Sequence, residues 1–223
     1  MAYLKAAFAV ADVGVNDLSC KLVLTFEVSC NFGSDAMKLK KPLVSLCASL
    51  VLASAGSASL AALAVGASAP DFTTEAARAG VAFKFSLAET LKKGPVVLYF
   101  YPKAFTSGCT VEAHNFAEAT PKFNALGATV VGISNDNIET LKKFSVEACR
   151  DKFAVAADSG ARIMKQYDAA LWVKPDVADR ISYVISPEGK VLYVYSSLSP
   201  DQHVENTLKA VEKWRAIKGP VPF

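Results

Sequence analysis

Cys109 ends an octapeptide, Pro102 to Cys109, with the sequence Pro-Lys-Ala-Phe-Thr-Ser-Gly-Cys. The apolar run Val96–Tyr101 before it is typical of a buried strand. From Thr110 to Leu126, apolar residues recur at three- and four-residue spacing, which predicts an amphipathic helix. The start of a helix presents unpaired N–H groups and the positive end of its dipole, and both favour a thiolate over a thiol. Cys109 is therefore predicted to be a reactive sulfur.

Three neighbours of Cys109 suit this chemistry. The Thr106 hydroxyl can accept from a helix-start N–H and donate to the thiolate. The N–H groups of Gly108 and Cys109 can bind a substrate oxygen, and a ligand can approach Gly108 closely because it has no Cβ. Pro102 lacks an N–H, ends the strand and can shield the sulfur from water. Taken singly, these residues can also be a packing cysteine, an N-cap and a strand terminator.

The octapeptide resembles the Pro-x-x-x-Thr-x-x-Cys motif of the peroxiredoxins. Thr110–Ala113, which follows it, is similar to the bacterioferritin comigratory protein (PrxQ) branch of that family. Val65–Phe72 resembles the family's opening strand, and Asp179–Ile185 resembles the strand that carries its active-site arginine, here Arg180. The three segments occur in the family's order, within roughly residues 65–216.

The resemblance implies an α/β thioredoxin-like fold, with a central mixed sheet flanked by helices and an N-terminal edge hairpin. The residue patterns agree with that layout. The predicted strands cover residues 71–74, 81–85, 96–101, 129–134, 153–157, 180–185 and 191–195. The predicted helices cover residues 87–91, 110–126, 138–149 and 161–167, with a last one that begins at Pro200.

The resemblance also implies a hydroperoxide as substrate. The Cys109 thiolate would attack the O–O bond and become a sulfenic acid, while Arg180 stabilises the thiolate and the charge that develops on oxygen. The implied reductant is a thioredoxin-like dithiol, no metal or organic cofactor is needed, and a monomer is expected. The formal charge of +3 gives no field suited to nucleic acid.

Cys149 is the candidate resolving cysteine. Of the five cysteines in the chain, only Cys109 and Cys149 follow residue 64. Much of the PrxQ branch carries a resolving cysteine five residues after the first, where this chain has His114, but some members carry it on the next helix. The alternative is a packing cysteine, which would leave a one-cysteine peroxidase or a peroxide sensor.

Two other functions find less support in the sequence. A thioredoxin-like disulfide oxidoreductase uses Cys-x-x-Cys at this junction, but the tetrad here is Thr-Ser-Gly-Cys, which ends at Cys109. A binding module of the same fold that has lost catalysis is the non-enzymatic alternative, and such a module would not react with peroxide.

The residues before the predicted domain have the pattern of a targeting segment. A basic cluster, Met37–Lys41, precedes an uncharged run, and Ala62-Leu63-Ala64 fits a small-x-small cleavage site. We therefore expect a signal peptide over residues 37–64 and a mature domain over 65–223, with an uncleaved membrane anchor as the alternative.

Residues 1–36 are expected to be an upstream extension that the native protein lacks, with translation starting at Met37. The expected location is periplasmic or secreted, with no stable membrane association after cleavage. A cytoplasmic location would follow if residues 1–36 are present and mask the signal.

Overall fold

The computed structural model describes residues 62–219. This region contains five helices: α1 (Leu87–Leu91), α2 (Ser107–Ala125), α3 (Ile138–Glu147), α4 (Arg162–Gln166) and α5 (His203–Lys218). Its nine strands are β1 (Thr73–Arg78), β2 (Val81–Ser86), β3 (Val96–Phe100), β4 (Thr129–Ser134), β5 (Ala154–Ala157), β6 (Ala170–Leu171), β7 (Lys174–Ala178), β8 (Ile181–Ile185) and β9 (Val191–Ser196).

Seven of the strands form one mixed sheet, in the order β2-β1-β5-β4-β3-β8-β9. Strands β3, β4 and β5 run parallel, because α2 and α3 provide the crossovers between them. The other neighbouring pairs are antiparallel, and β1 with β2 forms a hairpin at one edge. The predicted thioredoxin-like class, its mixed sheet and its edge hairpin are confirmed.

Strand β3 lies at the centre of the fold, and all five of its residues are buried. Its side chains alternate between the two faces of the sheet. Val97 and Tyr99 pack into a core with α2, α3 and α5, whereas Val96, Leu98 and Phe100 pack against α1 and α4. The strand is thus covered on both sides, and residues 101–106 connect its end to the start of α2.

Helix α2 begins three residues earlier than the pattern predicts, at Ser107 instead of Thr110. The apolar spacing used for the prediction starts only at Phe116, so it could not locate the first turn. Cys109 consequently lies inside the first turn of the helix and not before it.

Helix α3 ends earlier than predicted, at Glu147, so Cys149 lies beyond the helix. The N–H groups of Ala148 and Cys149 both donate to the Phe144 carbonyl, each at 3.0 Å. The next two residues, Arg150 and Asp151, have positive φ values of 49° and 60°, which end the right-handed helix.

The β6–β7 hairpin was not predicted. It forms a separate two-stranded sheet just before Arg180. Trp172 lies at its turn and is 82% exposed.

The predicted upstream extension and most of the predicted signal peptide lie outside the described residues. At the start of the described region, the Leu63 N–H donates to the Tyr183 hydroxyl at 3.2 Å, and Ala62 and Leu63 pack against the core. Contacts with the domain therefore begin before the expected cleavage point. No helix within residues 62–219 is long and apolar enough to cross a bilayer.

We predict that Gly132→Ala destabilises the fold. Gly132 pairs with Tyr99 across β3 and β4, and an added Cβ would lie 2.8 Å from Cζ of the Tyr99 ring. That ring stacks on Phe116 of α2 at a centroid distance of 4.4 Å, so it has little room to move. The free energy of unfolding should fall by about 1–3 kcal/mol, measured by urea denaturation. An unchanged midpoint would mean that Tyr99 shifts without cost.

Candidate active site

Cys109 is the third residue of α2 and is only 1% exposed. The N-cap, Thr106, is extended, with φ −75° and ψ 151°, and its side chain makes no capping hydrogen bond. The first N–H groups of a helix have no partner within the helix. They therefore remain available to an acceptor at the start of α2.

Thr106 lies where expected, but its hydroxyl makes a different contact. It donates to the Lys103 carbonyl at 3.0 Å and not to the Cys109 sulfur. Its oxygen lone pairs can still accept a hydrogen bond from a substrate hydroxyl. Pro102 follows the last ladder bond of the strand, from the Tyr101 N–H to the Ile133 carbonyl at 3.0 Å, and cannot continue it.

The structure brings Arg180 and Cys109 together, although they are 71 residues apart in sequence. Nη2 donates to the Cys109 sulfur at 3.4 Å, and Nε donates to the Leu198 carbonyl at 2.9 Å. Nη1 donates to Oε2 of Glu112. Because all three guanidinium nitrogens have partners and the residue is 5% exposed, the group is held in one orientation.

Gly108 allows this approach of the guanidinium. A Cβ on Gly108 would lie 3.2 Å from Nη2 of Arg180, closer than an ordinary contact. The sequence suggested that a ligand uses the space above this residue. The structure shows that Arg180 occupies part of it.

Glu112 belongs to the site, although the sequence argument assigned it no role. It is fully buried, one helical turn after Cys109. Burial raises the pKa of Glu112 to about 8, while the neighbouring Arg180 opposes that shift. The three-residue spacing from Cys109 was a signal that could have identified it.

His203 on α5 lies behind Glu112 and is fully buried. Its Nδ1 is 2.8 Å from Oγ of Ser182 and 3.7 Å from Oε1 of Glu112, and its Nε2 is 2.9 Å from the Ser197 carbonyl. Burial lowers the pKa of His203, an effect that the Ser197 contact opposes. No sequence spacing relates His203 to Cys109, because the tertiary fold alone joins α5 to α2.

The loop before α2 is fixed by residues that sequence reasoning missed. Oδ2 of Asp136 accepts from the Ala104 N–H at 2.7 Å and from Oγ of Ser134 at 2.8 Å. Phe105 has a φ of 65°, and its ring packs edge-on against Phe144 at 5.2 Å. Such a left-handed residue costs about 1–3 kcal/mol and persists only where its surroundings hold it.

Cys149 packs in the same core cluster as Cys109, and neither cysteine is in a disulfide. Burial, with a smaller contribution from Asp151, raises the pKa of the Cys149 thiol well above its ordinary value. Because the thiolate is the reactive form, Cys149 is unreactive in this buried position.

We predict that Glu112→Gln removes a pH dependence of stability. The pKa of Glu112 rises from 4.5 to about 8 on folding, so the folded state binds this proton more tightly. In the wild type, the contribution of Glu112 to the free energy of unfolding is fully present below about pH 4.5. It is lost as the pH rises through about 8. Glutamine cannot ionise, so the variant should gain stability relative to the wild type across that window.

Urea denaturation of both proteins at pH 5, 7 and 9 measures this difference. A constant difference in free energy of unfolding between the two proteins would contradict the assigned pKa direction.

Comparisons with known proteins agree with the geometry. Residues 65–194 match the model of the AhpC/TSA family. Peroxiredoxin Q, chloroplastic, of Oryza sativa subsp. japonica is 33% identical over 150 residues, which cover 66% of this chain and 66% of the relative. Peroxiredoxin Q, chloroplastic, of Sedum lineare is 35% identical over 122 residues, which cover 54% of this chain and 65% of the relative. The chain thus spans about two thirds of these relatives.

A solved structure extends the comparison to the whole fold of the domain. The crystal structure of peroxidoxin BcpB from Mycobacterium tuberculosis aligns with a TM-score of 0.61 and 32% sequence identity. The alignment covers 67% of this chain and 96% of that protein.

Proposed function

Because this chain belongs to the AhpC/TSA family, we propose that it is a thiol-dependent peroxidase that reduces hydrogen peroxide and organic hydroperoxides at Cys109. The sequence predicts that the chain resembles the peroxiredoxins and their PrxQ branch, and the relatives of the chain confirm this prediction. The observation that carries the proposal is the hydrogen bond of 3.4 Å from Nη2 of Arg180 to the Cys109 sulfur.

The arrangement suits attack on an O–O bond. The Cys109 thiolate forms an S–O bond to one peroxide oxygen as the O–O bond breaks, which gives a sulfenic acid. The second oxygen leaves as an alkoxide or hydroxide and takes up a proton to become an alcohol or water. Negative charge passes from sulfur to oxygen, and the Arg180 N–H groups and the N–H groups at the start of α2 can stabilise it. Thr106 can accept the hydrogen bond of a peroxide O–H.

We predict that Arg180→Lys slows the reaction with peroxide by about 10²–10³-fold, the usual cost of removing a donor to a developing oxyanion. Lysine keeps the positive charge but not the planar fork that contacts the sulfur, Glu112 and Leu198 together. The second-order rate constant is measured by rapid quenching and mass spectrometry of Cys109. Arg162→Lys, an arginine at the start of α4, is the matched control and should react as the wild type does. A rate within about threefold of the wild type for Arg180→Lys would contradict the role, because such a factor is below that cost.

We further propose that Cys149 resolves the sulfenic acid. Its sulfur would displace hydroxide from the Cys109 sulfenic acid, so that an S–S bond forms and water is released. A thioredoxin-like dithiol would then reduce the disulfide by exchange, becoming oxidised itself. Without Cys149 as partner the chain would be a one-cysteine peroxidase or a peroxide sensor.

This step requires local unfolding, because both sulfurs are buried. Cys109 is 1% exposed and Cys149 is 0% exposed, so an external dithiol cannot reach either sulfur in this conformation. An ion pair of 3.2 Å between Arg150 and Glu118 joins the turn after Cys149 to α2. The left-handed Arg150 and Asp151 make that turn a strained segment, which favours its opening.

We predict that one equivalent of hydrogen peroxide removes two hydrogens from reduced residues 65–223, seen by intact mass, and that Cys149→Ser abolishes this loss. A gain of oxygen in the wild type would show that Cys149 does not resolve, and no mass change would exclude the peroxidase.

We also predict that hydrogen exchange across residues 105–118 is faster in the oxidised protein than in the reduced protein. Equal exchange in both forms would contradict local unfolding.

We also propose a location and an oligomeric state for the protein. Because several relatives are named chloroplastic, we propose that the residues before 65 include a cleavable targeting region. We propose that the protein is exported to the periplasm or secreted, and that it is a monomer. Edman sequencing of the mature protein tests the first point, since it should begin near Val65.

A further inference from the structure

Asp136, in the loop between β4 and α3, holds the segment that leads into α2. Its Oδ2 accepts from the Ala104 N–H at 2.7 Å and from Oγ of Ser134 at 2.8 Å. Ser134 is fully buried, and its Oγ in turn accepts from the Asp136 N–H at 3.3 Å. The carboxylate therefore has little freedom to turn away from Ala104.

The loop that carries Asp136 is itself fixed on both sides. The Asn135 side chain donates to the Asp176 carbonyl of β7 at 2.8 Å and accepts from the Gly160 N–H at 3.2 Å. Asn137 is the N-cap of α3, and its side chain accepts a backbone N–H of that helix at 2.9 Å. The Asp136 carboxylate is thus a fixed point in the fold.

One peptide group connects Asp136 to Thr106. The Ala104 N–H and the Lys103 carbonyl belong to the same peptide bond, which is planar. That carbonyl accepts from the Thr106 hydroxyl at 3.0 Å. By fixing the N–H end of this plane, Asp136 also fixes the direction of the carbonyl, and the carbonyl orients the hydroxyl.

The same contact keeps Thr106 from acting as an ordinary N-cap. A threonine in this position commonly accepts from the N–H of the second or third residue of the helix, here Gly108 or Cys109. Thr106 makes no such bond, so both N–H groups stay available to a substrate oxygen. Phe105 has a φ of 65°, a conformation that persists only where its surroundings hold it. Release of Ala104 would therefore let the segment relax and Thr106 turn.

We propose that Asp136 is a positioning residue for the peroxide: through the Lys103–Ala104 peptide group it holds the Thr106 hydroxyl as the acceptor of the peroxide O–H. It thereby also leaves the first N–H groups of α2 free for a peroxide oxygen. This inference rests on the proposed peroxidase function. The side chain of Asp136 bonds to Ala104 and Ser134 and not to Cys109, so its loss should affect the peroxide reaction and not the ionisation of the sulfur.

A double-mutant cycle tests this coupling. Asp136→Ala removes the acceptor of the Ala104 N–H, whereas Asp136→Asn keeps a side-chain oxygen that can accept from it. Thr106→Val removes the hydroxyl and nearly keeps the shape of the side chain. The rate constants of Cys109 with hydrogen peroxide and with iodoacetamide are measured for each variant and for the double variants, in a Cys149→Ser background.

Asp71→Ala is the matched control. Oδ1 of Asp71 also accepts a backbone N–H, that of Ala88 at 3.1 Å, but it does so at the start of α1. This variant should react with both reagents as the parent does.

Asp136→Ala should slow the peroxide reaction about tenfold and Asp136→Asn less than about threefold, with alkylation changed less than about threefold in both. In the Thr106→Val background Asp136→Ala should have almost no further effect, because both changes remove the same interaction. Additive losses, an equal loss of alkylation, or an asparagine variant as slow as the alanine variant would overturn the inference.

Asp136→Glu keeps the test decisive if the alanine variant does not fold. It retains the carboxylate but moves it by one methylene, so it should slow the peroxide reaction, and this effect too should vanish in the Thr106→Val background. An unchanged peroxide rate would overturn the need for a precisely placed acceptor. Failure of Cys109 in the parent to form a sulfenic acid would overturn the peroxidase function and this inference with it, whereas a reactive parent with additive variants would overturn the inference alone.

Discussion

The guanidinium of Arg180 is the constraint on which the rest of this site depends. A charged group that is almost fully removed from water needs hydrogen-bond partners and compensation of its charge. Here the sulfur of Cys109, the carboxyl of Glu112 and the Leu198 carbonyl take up its nitrogens. These partners come from α2 and from the segment after β9, so α2, β8 and β9 must all be in place before this arrangement can form.

The same packing that builds the site conflicts with the proposed resolving step. The first turn of α2 must be ordered to hold Cys109 against Arg180, yet it must open before Cys149 can reach the sulfur. The stack of Phe116 on Tyr99 anchors the middle of α2 in the core. The Arg150–Glu118 ion pair, which joins the turn after Cys149 to that helix, is exposed, and such pairs contribute little to stability. The turn after Cys149 can therefore separate from α2 at little cost while the middle of the helix stays packed.

The parts of this site that depend on short residue patterns could be predicted from the sequence. The run Val96–Tyr101 and the octapeptide after it placed Cys109 correctly at a strand-to-helix junction, and the family resemblance supplied Arg180. Glu112 could have been found from its spacing on α2. His203 and Asp136 could not, because their roles depend on which helix and loop ends the sheet brings together. The left-handed Phe105, Arg150 and Asp151 were also beyond prediction, since surrounding contacts and not residue type hold them there.

We propose that the site stabilises charge on a peroxide oxygen in addition to forming a thiolate. The most direct test compares two rate constants of Cys109, with hydrogen peroxide and with iodoacetamide, against those of free cysteine thiolate. We expect the peroxide reaction to be faster than that of free cysteine by at least about 10²–10³-fold, the contribution of oriented donors, while alkylation is not accelerated. Equal acceleration of both reactions would contradict this role, because it would mean that Arg180 and the start of α2 only ionise the sulfur.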